Sequence, residues 1–262
     1  MKVALFLDVD KTLTKNFIQE EYANLLSCKK DYQLIESNFQ ANQASVEFGE
    51  RLIALFKEKK FDLGFATKHF EKIKLRSWAD RLLKLKVDLF LVSNGPSYYI
   101  EKLAEKYNIP LNNVICSVYR FNHETQLISS CDAVSNAGKA EFVAEKAKNY
   151  EFSIGVGDSP RHDGPFLTNC SMSFIFLRHG QSIPNDQESG SFLYTTSLER
   201  VVRMVELISA LEEKECQFGL QDITLKNLIG NTRLAAVRSL WFIFALFFSL
   251  GVFLGKFLKL TP

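Results

Sequence analysis

Short apolar runs recur along the chain, and most of them end in a polar cluster. Residues 3–7 run into Asp8-Val9-Asp10, and residues 88–92 into Ser93-Asn94-Gly95. Residues 152–156 run into Gly157-Asp158, and residues 173–177 into Arg178-His179-Gly180. A further run covers residues 114–119. Compact runs of this kind, with little polar alternation, are the pattern of strands buried on both faces. Between them lie segments of helical character: residues 100–107, stopped near Pro110, and residues 138–148, rich in Ala, Glu and Lys. Residues 123–130 read as a short hairpin. Strands alternating with helices predict an α/β fold with a parallel, Rossmann-like sheet whose ligands gather at the strand C-termini.

Residues 15–86 break this rhythm. The segment lacks proline, is rich in Glu, Lys, Gln and Leu, and carries helical spacing at Leu52, Leu55 and Phe56. It predicts a mostly helical insert, leaving residues 1–14 and 87–200 as the core. Residues 199–215 predict a charged amphipathic helix that either packs on the core or acts as a stalk, with the amphipathic or stalk stretch taken over 201–236. Beyond it, residues 240–255 carry no charged side chain and are flanked by Arg233, Arg238, Lys256 and Lys259. A membrane span takes about 20 residues. Snorkelling lysines lengthen the stretch, and Trp241 suits an interface. A single transmembrane helix over residues 238–258 is therefore expected. The N-terminal apolar run is too short for a signal peptide and meets Asp8 at once, so the folded part is expected in the cytoplasm, tethered by its tail.

Composition narrows the classes. With 47% hydrophobic and 24% charged residues, a core can be buried. Net charge is only +2, from 32 basic and 30 acidic side chains, which supplies no field for nucleic acid. The five cysteines are scattered without a CxxC pair, which excludes a disulfide scaffold or a zinc site and fits a reducing compartment.

The candidate chemistry lies at the ends of the apolar runs. Asp8 and Asp10, two residues apart at a strand end, point the same way. One carboxylate can attack phosphorus while the other protonates the leaving alcohol and later activates water. A phosphate dianion and a carboxylate repel, so a hard divalent cation, magnesium, is required between them. Asp158 and Asp163 follow another strand and would emerge at the same sheet edge. Ser93 offers a hydroxyl near a helix N-terminus. Lys139 offers a cation at the start of another helix.

Four motifs stand in order: Asp8-Val9-Asp10-Lys11-Thr12-Leu13-Thr14, Ser93 in Leu-Val-Ser-Asn-Gly, Lys139 in Asn-Ala-Gly-Lys, and Gly157-Asp158-Ser159-Pro160-Arg161-His162-Asp163. In this the chain resembles the haloacid dehalogenase superfamily, in its phosphoserine-phosphatase-like branch, over roughly residues 1–200. The resemblance implies Asp8 as nucleophile and Asp10 as general acid/base. It implies magnesium held by Asp8, the backbone carbonyl of Asp10, and Asp158, with Asp163 in support. Thr12, Ser93, Asn94 and Lys139 would bind the substrate phosphate. Residues 15–86 would be a helical cap that selects a small phosphorylated metabolite or lipid head group. The match to phosphoserine phosphatase is incomplete: Phe17 stands where that enzyme has an acidic residue, with Glu20 and Glu21 one turn on, and Arg51 as a candidate carboxylate partner.

Residues 174–185, FIFLRHGQSIPN, resemble the signature of histidine phosphatases. That chemistry needs a second histidine downstream, and none follows His179. The rivals to a phosphatase are a phosphotransferase using the same intermediate and a non-catalytic membrane adaptor. Retention of the full acidic set argues against the adaptor.

Overall fold

The computed structural model describes residues 2–42, 45–178, 180–181 and 192–218. Seven strands form one sheet in the order β4-β3-β2-β1-β5-β6-β7. β1 (Val3–Leu7) lies in the middle, parallel to β2 (Asp88–Pro96) on one side and β5 (Phe152–Gly157) on the other. β3 (Val114–Phe121), β6 (Met172–Phe176) and β7 (Leu193–Thr195) continue the parallel array. Among the strands of the described residues, only β4 (Ile128–Asp132), pairing with β3, is antiparallel. The strand order reverses direction at β1, which opens a crevice at its C-terminal end.

The continuous apolar runs have the expected physical cause. Every residue of β1 and of β5 is buried, because helices cover both faces of the sheet. Ala4, Phe6, Phe90, Val92, Val143, Phe166, Leu167 and Ile175 form a core cluster, with Phe6 stacked on Phe90 at 4.6 Å. Full burial of each Phe, Val, Leu or Ile in it is worth about 1.5–3 kcal/mol.

Residues 15–86 are helical: α1 (Ile18–Leu25), α2 (Lys29–Asn42), α3 (Ser45–Glu58), α4 (Leu63–His69) and the short α5 (Ala79–Leu82). Their apolar faces meet the core through a cluster of rings. Phe61 contacts Tyr22 at 5.3 Å, Phe56 at 4.9 Å and Tyr98 at 5.2 Å. The segment leaves and rejoins the core through adjacent strands of chain. Thr14 bridges Leu75, Arg76 N–H donates to the Leu13 carbonyl, and the Arg76 guanidinium donates to the Lys11 and Lys15 carbonyls.

Several elements depart from the apolar pattern. β2 extends to Pro96, four residues past its apolar run, because the Ser117 hydroxyl donates to the Asn94 carbonyl and Pro96 keeps register with Ser117. The hairpin predicted over 123–130 has β3 as its first arm. Its turn is closed by the Asn122 side chain, which accepts from the Glu124 and Thr125 amides. α6 (Ser97–Lys106) and α7 (Asn136–Ala147) start earlier than the apolar positions indicate, α7 because Ser135 caps it at the Gly138 amide. Residues 160–167, which carry the last acidic motif, form α8 (Pro160–Leu167), capped by Ser159 with proline in its first turn. β7, three residues long, is too short to stand out in the pattern.

The chain divides into units of residues 1–209 and 210–262. α9 (Leu198–Phe218) buries Leu198, Val201, Val202, Val205 and Ile208, so packing within the first unit continues past residue 200. The stretch predicted to span a membrane, residues 238–258, lies outside the described residues. Among the described residues, no helix is long and apolar enough to cross a membrane.

Candidate active site

Register brings the polar clusters together. Leu7 pairs with Leu91 and with Val156, so Asp8 leaves the sheet between the ends of β2 and β5. The Asp8 amide still donates to the Val156 carbonyl at 2.9 Å. The chain then turns tightly: Leu13 and Thr14 amides donate to the Val9 carbonyl, and Lys11 takes a φ of 61°. This turn returns the Thr12 hydroxyl to Asp8, where it donates to Oδ2 at 2.7 Å.

Asp8, Asp158 and Asp163 each bring a carboxylate oxygen within 4.8 Å of the others. Lys139 reaches into this group from α7. It is 1% exposed, donates to Asp163 Oδ1 at 2.7 Å and to Asn94 Oδ1 at 3.1 Å, and lies 3.7 Å from Asp8 Oδ1. Asp163 is saturated, because its Oδ2 also accepts from the Asp158 and Ser159 amides. It therefore holds the loop after β5 and aims Lys139. Close approach of that loop requires Gly157: a Cβ there would meet the Asp163 carboxyl at 2.6 Å.

Asp10 turns towards α1 and the end of β2. Its Oδ1 accepts from the Ile18 amide at the start of α1 at 2.7 Å. Its Oδ2 lies against Gly95, where a Cβ would approach it to 2.5 Å. The Asp10 carboxylate is not part of the close acidic group, so its expected share in a metal site falls to its backbone carbonyl. Ser93 is fully buried beside it and accepts from the Gly95 amide. The Asn94 side chain is spent on positioning: it donates to the Val134 carbonyl and accepts from Lys139.

Electrostatics follow from gathering acids where water is scarce. Burial, then repulsion from Asp163, raises the Asp8 pKa well above the ordinary carboxylate value, against the pull of Lys139. Burial raises Asp10 to about 7, and burial with Asp163 raises Asp158 to about 6. Burial opposes charge on Lys139, but Asp163 and Asp8 outweigh it and hold the ammonium more firmly than usual. These directions describe an acidic nest with too little positive charge. An all-oxygen donor set in such a nest suits a hard divalent cation, so the residues present fit magnesium.

On the Asp158 side stand cations without a clear sequence signal. Arg178 Nε is 3.7 Å from Asp158, and Arg76 packs over Phe176. Lys11 sits over the Phe17 ring at 3.2 Å. Glu20 is tied to Lys29 and Glu21 to Asn16, so neither acid is unengaged. His162 lies at the start of α8, its ring nitrogen 3.3 Å from the Asn136 amide nitrogen, and burial lowers its pKa.

No family model and no curated protein sequence matches this chain. Solved structures do. A substrate-bound phosphoserine phosphatase superposes with a TM-score of 0.60 at 15% identity, over 78% of this chain and 98% of its own. A probable phosphoserine phosphatase from Vibrio cholerae gives 0.60 at 15%, over 81% and 67%. A HAD-family hydrolase from Salmonella enterica serovar Typhi gives 0.58 at 15%, over 68% of this chain and 63% of its own, so the chain spans under two thirds of that protein. The chain therefore has the haloacid dehalogenase-type α/β fold, in the form seen in phosphoserine phosphatases.

Proposed function

We propose that this chain is a magnesium-dependent phosphomonoester hydrolase that works through an aspartyl-phosphate on Asp8. The observation that carries the reading is the convergence of Asp8, Asp158 and Asp163 within 4.8 Å, with Lys139 buried among them. Asp8, Asp158 and the Asp10 carbonyl would hold the ion. When bound, magnesium supplies charge neutralisation for the phosphate and for the nucleophile.

An Asp8 carboxylate oxygen bonds to phosphorus as the bond from phosphorus to the alcohol oxygen breaks. Asp10 gives its proton to that oxygen, a task for which a carboxyl raised to about 7 is suited. Asp10, now a carboxylate, takes a proton from water as the water oxygen attacks phosphorus. The Asp8–phosphorus bond breaks, releasing inorganic phosphate and restoring Asp8. Lys139 offsets charge on the phosphoryl oxygens, Ser93 lies beside them, and Thr12 fixes the Asp8 carboxyl through its hydrogen bond.

Residues 15–86 act as the cap in this reading, enclosing a small phosphorylated metabolite or head group. The apolar stretch at 238–258 anchors the protein in a membrane with the catalytic unit in the cytoplasm, a reading supported by its composition. The test is hydrolysis of para-nitrophenyl phosphate by the full chain. Release of nitrophenol and phosphate in equal amounts is expected with Mg2+, with loss in EDTA and in Asp8→Asn. Turnover that survives both changes would sink the reading, and phosphate passed to an added alcohol would make the protein a phosphotransferase.

A further inference from the structure

Lys11, between Asp10 and Thr12, is held at its backbone and at its ammonium by the helical segment 15–86. Its backbone is left-handed, with a φ of 61°. A residue with a side chain keeps that conformation only where its surroundings impose it. Here the Lys11 carbonyl accepts from Arg76 Nε at 3.0 Å, and Arg76 lies on the return crossing from that segment to the core. The Lys11 ammonium lies over the Phe17 ring, 3.2 Å from its centroid, and 4.0 Å from Glu36 Oε1 on α2. The lysine and glutamate side chains are 18% and 17% exposed, so the pair is little screened by water. Tyr32, one turn before Glu36 on the same face of α2, is buried, so that face is turned inward.

These contacts lead to Asp10. Phe17, beneath the Lys11 ammonium, is the N-cap residue of α1 and supplies no side-chain cap of its own. The next amide, that of Ile18, is instead met from outside the helix, by Asp10 Oδ1 at 2.7 Å. The amide that aims the Asp10 carboxyl is therefore placed by Phe17, and Phe17 is gripped by Lys11. Glu36 completes the chain from the second helix of the insert. A cation over an aromatic face and beside a carboxylate is attracted by both, and the attraction grows as water is excluded.

We propose that Lys11 is a positioning residue: clamped between Glu36 and Phe17, it fixes the start of α1 so that the Ile18 amide holds the Asp10 carboxyl where the leaving oxygen departs. This rests on the phosphatase reading, in which Asp10 protonates that oxygen. A general acid matters most when the leaving group is basic. Phenolate is more basic than para-nitrophenolate, which leaves readily without a proton. A small displacement of Asp10 therefore penalises phenyl phosphate and spares para-nitrophenyl phosphate, although the two esters have nearly the same shape. A lysine that only supported the fold, or that gripped the phosphate, would affect both alike.

The test compares Lys11→Met, Lys11→Arg and Glu36→Gln in the full chain, with Mg2+, on phenyl phosphate and para-nitrophenyl phosphate. The quantity read is kcat/KM, which reports the first phosphoryl transfer whatever the rate of the second. Lys11→Met is expected to lower it about tenfold for phenyl phosphate and no more than about twofold for para-nitrophenyl phosphate. Glu36→Gln is expected to move the ratio of the two esters in the same direction, and to add nothing once Lys11 is Met. Lys11→Arg, which keeps a cation between both partners, is expected to restore most of the ratio. An equal fall on both esters, no fall on phenyl phosphate, or an unchanged ratio in Glu36→Gln would overturn the inference. So would an unaltered chain that turns over only para-nitrophenyl phosphate, because Asp10 would then assist no basic leaving group. Failure of the unaltered chain on both esters would instead overturn the phosphatase reading beneath it.

Discussion

At the end of β1, Asp8, Asp158 and Asp163 crowd around one buried lysine. Where α1, α6 and β3 meet the chain between α3 and α4, Tyr22, Tyr98, Tyr119, Phe61 and Gln19 pack together. The first region is held by charge: Lys139 bridges Asp163 and approaches Asp8, and removing any member leaves another without its counterpart. The second is held by ring packing and neutral hydrogen bonds, and one of its hydroxyls has no partner. Chemistry that makes and breaks bonds to a charged phosphoryl group needs the first kind of surface. The second tolerates change better, because its parts do not depend on one another for neutrality.

The largest effect that would break this contrast is at Lys139. Lys139→Met should cost about 3–5 kcal/mol in urea unfolding, because Asp163 and Asp8 lose their buried cation. A cost under about 1 kcal/mol would mean that the nest is not held by charge.

Next in size is pH. The folded-state values of Asp8, Asp10 and Asp158 are raised above the ordinary value of 3.8, Asp10 to about 7 and Asp158 to about 6. Between these limits the folded chain binds more protons than the unfolded one, so stability falls as pH rises from about 4 through about 7, by an amount on the order of a few kcal/mol. Melting curves in EDTA should shift downward across that range, and added Mg2+ should stabilise most at the alkaline end. A flat profile in EDTA would contradict the electrostatic account.

Gly157→Ala should cost about 1–3 kcal/mol, since its Cβ would collide with the Asp163 carboxyl and push the loop after β5 outward. Activity should fall further than stability predicts, because Asp158 rides on that loop. The smallest effect belongs to the aromatic side. Tyr22→Phe removes the bond to the Ala66 carbonyl and should cost about 1 kcal/mol, with turnover of para-nitrophenyl phosphate unchanged.

Much of the charged region was legible in the sequence because its residue types are unusual where they stand. Acids directly after buried apolar runs have few structural uses, so Asp8, Asp10 and Asp158 stood out, and the parallel sheet that joins them follows from the same runs. The expected helical character of residues 15–86 likewise matches the helices there. What the pattern could not carry was mutual placement. Asn94 was read as a phosphate contact, and the pattern gave no sign that its side chain also donates to the Val134 carbonyl and accepts from Lys139. Asp163 was read as a support, and its role in fixing the loop and the lysine needed the register of β5 to be visible. Arg76 carried no distinguishing signal, and Gly95, Gly157 and Arg178 stood in the strand-end clusters without a role of their own, because their value lies in contacts between distant segments.

The central claim is that phosphorus is transferred to Asp8. It is tested most directly by mixing the full chain with para-nitrophenyl phosphate and Mg2+, quenching in acid within a turnover, and mapping the phosphoryl group by peptide mass spectrometry. The account expects one acid-stable, hydroxylamine-sensitive phosphoryl group on the peptide containing Asp8, absent from Asp8→Asn. A phosphoryl group on a histidine peptide after a parallel alkaline quench, or steady turnover by Asp8→Asn, would contradict it.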